Sequence, residues 1–181
     1  KVDIETKKDD TRKLGYSKIS EGNALKKSGD LEGAKNAYLE AIQQFEKVIK
    51  IEPEDIKTLL NKSYAHVQRE DFIGQGHSCI EAIRIDDKNS HAWLCLGNAQ
   101  LAVKQYEDSI KSFTQATNSC NSQGQNEKDT CVAAWSNIGY AYLGWNKPKE
   151  ALDAFNQALG IRKDYDKAIY GRIEAEKRLK K

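Results

Sequence analysis

The chain has 181 residues, 39% of them hydrophobic and 31% charged, and only 2 Pro, so long helices are permitted. Lys+Arg 29 against Asp+Glu 27 leaves a net charge of +2, which argues against the concentrated basic footprint of a dedicated nucleic-acid binder. No run of 18 apolar residues could span a membrane and no signal peptide is visible, while a start at Lys1 and the absence of Met lead us to expect a trimmed or processed N-terminus.

Residues 1–13 alternate in charge and are expected to be either frayed or the lead-in to the first helix. From Leu14 onward, apolar and small residues recur at helical spacing, and the breaks are regular. Ser28-Gly29-Asp30 ends the first segment. Ala34, Tyr38, Ala41, Phe45 and Val48 then share one face and predict a long helix from Leu31 to Ile51, closed by Glu52-Pro53-Glu54-Asp55. Leu59, Ser63 and Ala82 mark a weaker pair of helices that ends at Asp86-Asp87-Lys88-Asn89. Trp93-Leu94-Cys95-Leu96-Gly97 opens the next pair, whose second half is Tyr106-x-x-Ser109-x-x-x-Phe113-x-x-Ala116. A polar stretch over 118–130, with Gly124, predicts a loop. Trp135-Ser136-Asn137-Ile138-Gly139 repeats the earlier motif, and after Asn146-Lys147-Pro148 come Ala151, Phe155 and Ala158. Pro148 fits the first turn of a helix, where its missing N–H costs nothing. A last amphipathic helix over 166–181 carries Ala168, Ile169, Ile173, Ala175 and Leu179, with its charges on a solvated face.

The small residues Gly22, Ser63, Gly97 and Gly139 are separated by 41, 34 and 42 residues. This pattern resembles the tetratricopeptide repeat, a helix–turn–helix unit of about 34 residues with a W-x2-L-G-x2-Y…A-x3-F…P signature. The copy with Trp135, Ile138, Gly139, Tyr142, Ala151, Phe155 and Ala158 matches it nearly in full, and the first two copies are degenerate. The resemblance implies an all-α, right-handed superhelical solenoid of antiparallel helix pairs. An array over 14–165 would comprise repeats 15–53, 54–89, 90–123 and 132–165, with the loop at 118–130 and a capping helix at 166–181. Seven extra residues fall in the second helix of the first copy, and two whole turns extend a buried stripe without rotating it.

The resemblance also implies a concave surface lined by the first helix of each pair. Carried over position by position, it contains Asn23, Leu60, Asn61, Tyr64, Val67, His91, Leu94, Asn98, Leu101, Asn137, Tyr140 and Leu143. The capping helix would add Tyr170 and Glu174. Asn23 and Asn61 match the asparagines of the family's carboxylate clamp for chaperone tails. Its basic partners are replaced by Ile19, His91 and Cys95, which argues against that ligand.

Chemistry is sparse. There is no C-x-x-C, no metal spacing among His66, His77 and His91, no phosphate loop and no nucleophile elbow, so neither a metal nor another cofactor is expected. Cys120 and Cys131 flank the polar stretch and are either a disulfide, which would point to an oxidising compartment, or two free thiols at adjacent helix ends. Cys79 and Cys95 fit small apolar fillers. The compartment stays open, with the cytoplasm slightly favoured and an exported or periplasmic site an alternative if Cys120 and Cys131 are bridged.

These readings predict a non-catalytic interaction module that holds a peptide segment of a partner protein in the concave groove. The alternatives are a scaffold that self-assembles through repeat–repeat contacts and, from another class, an enzyme or a metal or small-ligand receptor.

Overall fold

The computed structural model describes residues 2–120 and 124–180, and every described element is an α-helix. The chain divides into two compact units, Lys1–Ile85 and Asp86–Lys181.

The first unit holds α1 (Val2–Ser28), α2 (Leu31–Ile51), α3 (Ile56–Gln68) and α4 (Phe72–Ile85). Helix α1 ends at Gly29, whose φ of 92° suits a residue without a Cβ. Asp30 then caps α2 by accepting the Gly33 N–H at 2.9 Å. The α1–α2 hairpin is closed by a repeated contact in which an aromatic ring of α2 lies on a glycine of α1. A Cβ built on Gly22 would sit 2.7 Å from the Tyr38 ring, and one on Gly15 would sit 2.5 Å from the Phe45 ring. The two glycines are seven residues apart, as are the two rings, so the extra turns of α2 duplicate one packing contact. Tyr38 and Phe45 are fully buried among Ala34, Ala41, Ile42 and Ala65.

Those extra turns overturn the frayed reading of residues 1–13, which are helical from Val2 onward. The longer α2 carries Glu52 and Asp55 to a place opposite the start of α1. Lys8 is buried against Glu5 and Glu52, and Arg12 binds Asp9, Glu52 and Asp55.

The second unit holds α5 (Ser90–Ala102), α6 (Tyr106–Cys120), α7 (Gly124–Gly144), α8 (Pro148–Ile161) and α9 (Asp166–Leu179). Asn89 caps α5 through the Ala92 N–H, and Pro148 occupies the first turn of α8. Phe113 and Phe155 are fully buried, each worth roughly 1.5–3 kcal/mol in area removed from water. The glycine-on-ring contact recurs for Gly97 on Phe113 and Gly139 on Phe155, and Gly171 of α9 closes on the Phe155 ring as well. Helices α5, α7 and α9 touch in succession, whereas no comparable contact joins α6 to α8. The first helices therefore form the close-packed inner layer of this unit, and the second helices splay apart on its outer side.

The polar stretch 118–130 is not the predicted loop. Residues 118–120 finish α6 and 124–130 begin α7, while 121–123 lie outside the described residues. Tertiary ties override the local turn chemistry. Glu127 accepts from Ser90 at 2.6 Å, the Thr130 hydroxyl lies 3.1 Å from His91 Nε2, and Asp129 pairs with Arg162. Cys120 and Cys131 are joined by a disulfide across Cα atoms 5.7 Å apart. The expectation that Cys79 and Cys95 are thiol fillers also fails, since no free cysteine is present.

Candidate binding surface

In the first unit the predicted residues lie along α1 and α3. Asn23 is exposed, and its Oδ1 accepts from Tyr38 at 2.7 Å and from Tyr64 at 3.1 Å. With its oxygen doubly engaged, Asn23 turns an amide N–H2 outward. Burial, with a smaller contribution from Tyr64, raises the Tyr38 pKa, so its phenol stays a donor. Tyr64 is 40% exposed, while Leu60 and Val67 are half-buried. Asn61 turns back on its own helix and donates to the Lys57 carbonyl at 2.7 Å, so its amide is partly spent within α3.

In the second unit Asn98, Asn137 and Tyr140 come together, and α9 supplies a residue that sequence reasoning missed. Lys167 Nζ donates to Asn137 Oδ1 at 2.8 Å, and Asn137 Nδ2 donates to Asn98 Oδ1 at 2.8 Å. An ammonium can only donate, so it fixes the orientation of both amides. Asn98 is exposed and is left presenting its N–H2 group. Burial pushes the Lys167 ammonium below the usual lysine value, and it sits 5.4 Å above the Tyr140 ring. Tyr140 packs edge-on against Phe155 and donates its hydroxyl to the Lys167 carbonyl at 2.8 Å. Lys167 had a signal in the sequence. Gly171 follows Gly139 by 32 residues, so α9 stands in register with the first helices of the preceding pairs and can reach their inner surface.

Several predicted residues are buried or engaged within the protein. Asn137 and Leu143 are each 6% exposed, because α9 covers that side of α7. Leu143 belongs to the core around Phe155. Leu94 and Leu101 are half-buried against Phe113, Ile138 and Ala154. His91 is exposed and turned toward Thr130 and Ser90 at the start of α7. Of the capping-helix additions, Tyr170 is 69% exposed and Glu174 is engaged by Arg178. A hollow of about 620 Å³ beside Asp86, Ser90, Asn118 and Glu127 contains none of the predicted surface residues.

Among the described residues no group of three or more His, Cys, Asp or Glu side chains is placed to hold a metal ion. Among the described residues no helix is long and apolar enough to cross a membrane.

Known proteins fit this architecture. A tetratricopeptide repeat family model matches residues 89–164. Superkiller complex protein 3 of Mus musculus is 30% identical over 86 residues, 47% of this chain, which spans only 5% of that protein's length. Among solved structures, Pseudomonas aeruginosa pilF aligns with a TM-score of 0.67 at 17% identity, covering 96% of this chain and 71% of that one. YrrB, described as a TPR protein with an unusual peptide-binding site, aligns with a TM-score of 0.63 at 18% identity, covering 86% and 90%. These structural likenesses speak to the fold. The match over residues 89–164 identifies tetratricopeptide repeats in the second unit, and the glycine-on-ring helix pairs have the same helix-pair architecture in both units.

Proposed function

We propose that the protein is a non-catalytic interaction module whose first-helix surfaces hold an extended peptide segment of a partner protein. The observation that carries this reading is the Lys167–Asn137–Asn98 relay, which leaves an oriented amide donor on the inner layer of the second unit. Asn23, fixed by Tyr38 and Tyr64, does the same in the first unit. An extended peptide offers backbone carbonyls to such donors, and Tyr64 and Tyr140 supply flat apolar area beside them. The peptide-binding description of YrrB is in keeping with this use of the fold. The Cys120–Cys131 bond suits an oxidising compartment, and we place the function there.

The test is affinity capture from the native source with the wild type, Asn98→Asp and Tyr64→Ala run in parallel. Asp at 98 still accepts from Asn137 but has no outward donor, so the fold is kept while the ligand contact is lost. Partners held by the wild type and lost from either variant support the reading. An unchanged set of partners refutes it.

A further inference from the structure

On the outer side of the second unit, the splay between α6 and α8 leaves a recess of about 330 Å³. Its floor is the Trp135, Ile138 and Tyr142 face of α7, about half a turn away from Asn137 and Tyr140, and Ile110 of α6 forms one wall. The rim on α8 is acidic. Glu150 and Asp153 line it, both are exposed, and neither has a cationic partner among the described residues.

The same unit carries a surface of opposite character. Tyr170 and Ile173 of α9 are 69% and 53% exposed, though both are large apolar side chains. With Lys177 they fall within an arc of roughly 60° on the helix. Lys180 extends that arc, and neither lysine is paired among the described residues. Asp166 opens the same face at its other end, so the face runs from acidic to basic along the helix. One aromatic and one aliphatic side chain at i, i+3 match a recess of this size, and the two lysines then reach the Glu150–Asp153 rim.

We propose that the outer recess receives the α9 helix of a second copy of this chain, with Tyr170 and Ile173 as anchors and Lys177 and Lys180 paired to Glu150 and Asp153. The recess and the helix are different surfaces, so the contact is head-to-tail. Each copy offers one of each, so association continues as a ring if the rotation between copies closes and as an open filament if it does not. The recess lies on the side of α7 opposite Asn137 and Tyr140, and the proposal does not depend on the peptide-binding reading.

Sedimentation equilibrium over a concentration series tests it. The wild-type mass should rise with concentration above 20.4 kDa, that of one chain. Glu150→Lys with Asp153→Lys should return the mass to that of one chain, as should Lys177→Glu with Lys180→Glu. Mixing the two reversed chains should restore association, because each then offers the other an opposite charge. All four substitutions are at exposed positions, and circular dichroism checks that helicity is kept. A wild type that stays at the mass of one chain throughout overturns the proposal. So does an assembly whose mass is indifferent to both reversals, or reversed chains that do not associate when mixed.

Discussion

Lys167 has only protons to give, and the amides of Asn137 and Asn98 align accordingly. The polarity of the inner surface is thus set by one residue of α9. Exchanging Asn98 for Asp should weaken peptide binding about tenfold or more, the worth of one oriented donor to a bound acceptor, with little change in the thermal midpoint. Isothermal titration of a captured partner peptide checks this, and equal affinities would contradict it. At the other end of the chain, Asp55 accepts from the Thr58 N–H and hydroxyl and from Arg12. Burial alone would raise its pKa, but these bonds outweigh it and hold the carboxyl below the ordinary 3.8. A carboxylate with a depressed folded pKa contributes stability that is present above its unfolded value. That contribution is lost as pH falls from 3.8 toward the folded value. Asp55→Asn should blunt this acid loss, and Asp55→Ala should also cost about 1 kcal/mol through the missing cap. Urea titrations across acidic pH measure both.

At the scale of the element, helix pairs are held in register by rings seated on glycines. Gly22→Val would place a Cβ 2.7 Å from the buried Tyr38 ring and should destabilise the first unit by about 1–3 kcal/mol. An unchanged denaturation midpoint would count against that register. The Cys120–Cys131 bond closes a short loop between α6 and α7, and Cys131→Ser should cost about 3 kcal/mol. Reductant should lower the wild type toward the variant's midpoint. Much of this level was legible in the sequence. The bounds of α2 follow from its apolar face and the turns on either side. The start of α7 was not legible, since Gly124 and its polar neighbours have the chemistry of a loop and are helical through bonds to Ser90, His91 and Arg162. For the same reason α1 began earlier than its charge pattern suggested, because Lys8 and Arg12 find Glu52 and Asp55 only after folding.

For the whole molecule, the family pattern specifies which helices belong to the inner layer but not what their neighbours cover. Offsets from the small residue selected Asn98 and Tyr140, which stand beside Asn137 and Lys167 in the structure. They also selected Asn137 and Leu143, which α9 buries, and passed over Lys167 on α9 itself. A positional rule counts along one helix, whereas burial depends on the next one. The central claim is that peptides are held on the inner layer. Site-specific photo-crosslinking in native extract tests it most directly, with a benzophenone side chain at Asn98 on the inner layer compared with one at Gln157 beside the outer recess. The account predicts that position 98 captures a peptide segment of another protein and that position 157 does not capture that segment. Capture of that partner from position 157 alone would contradict it.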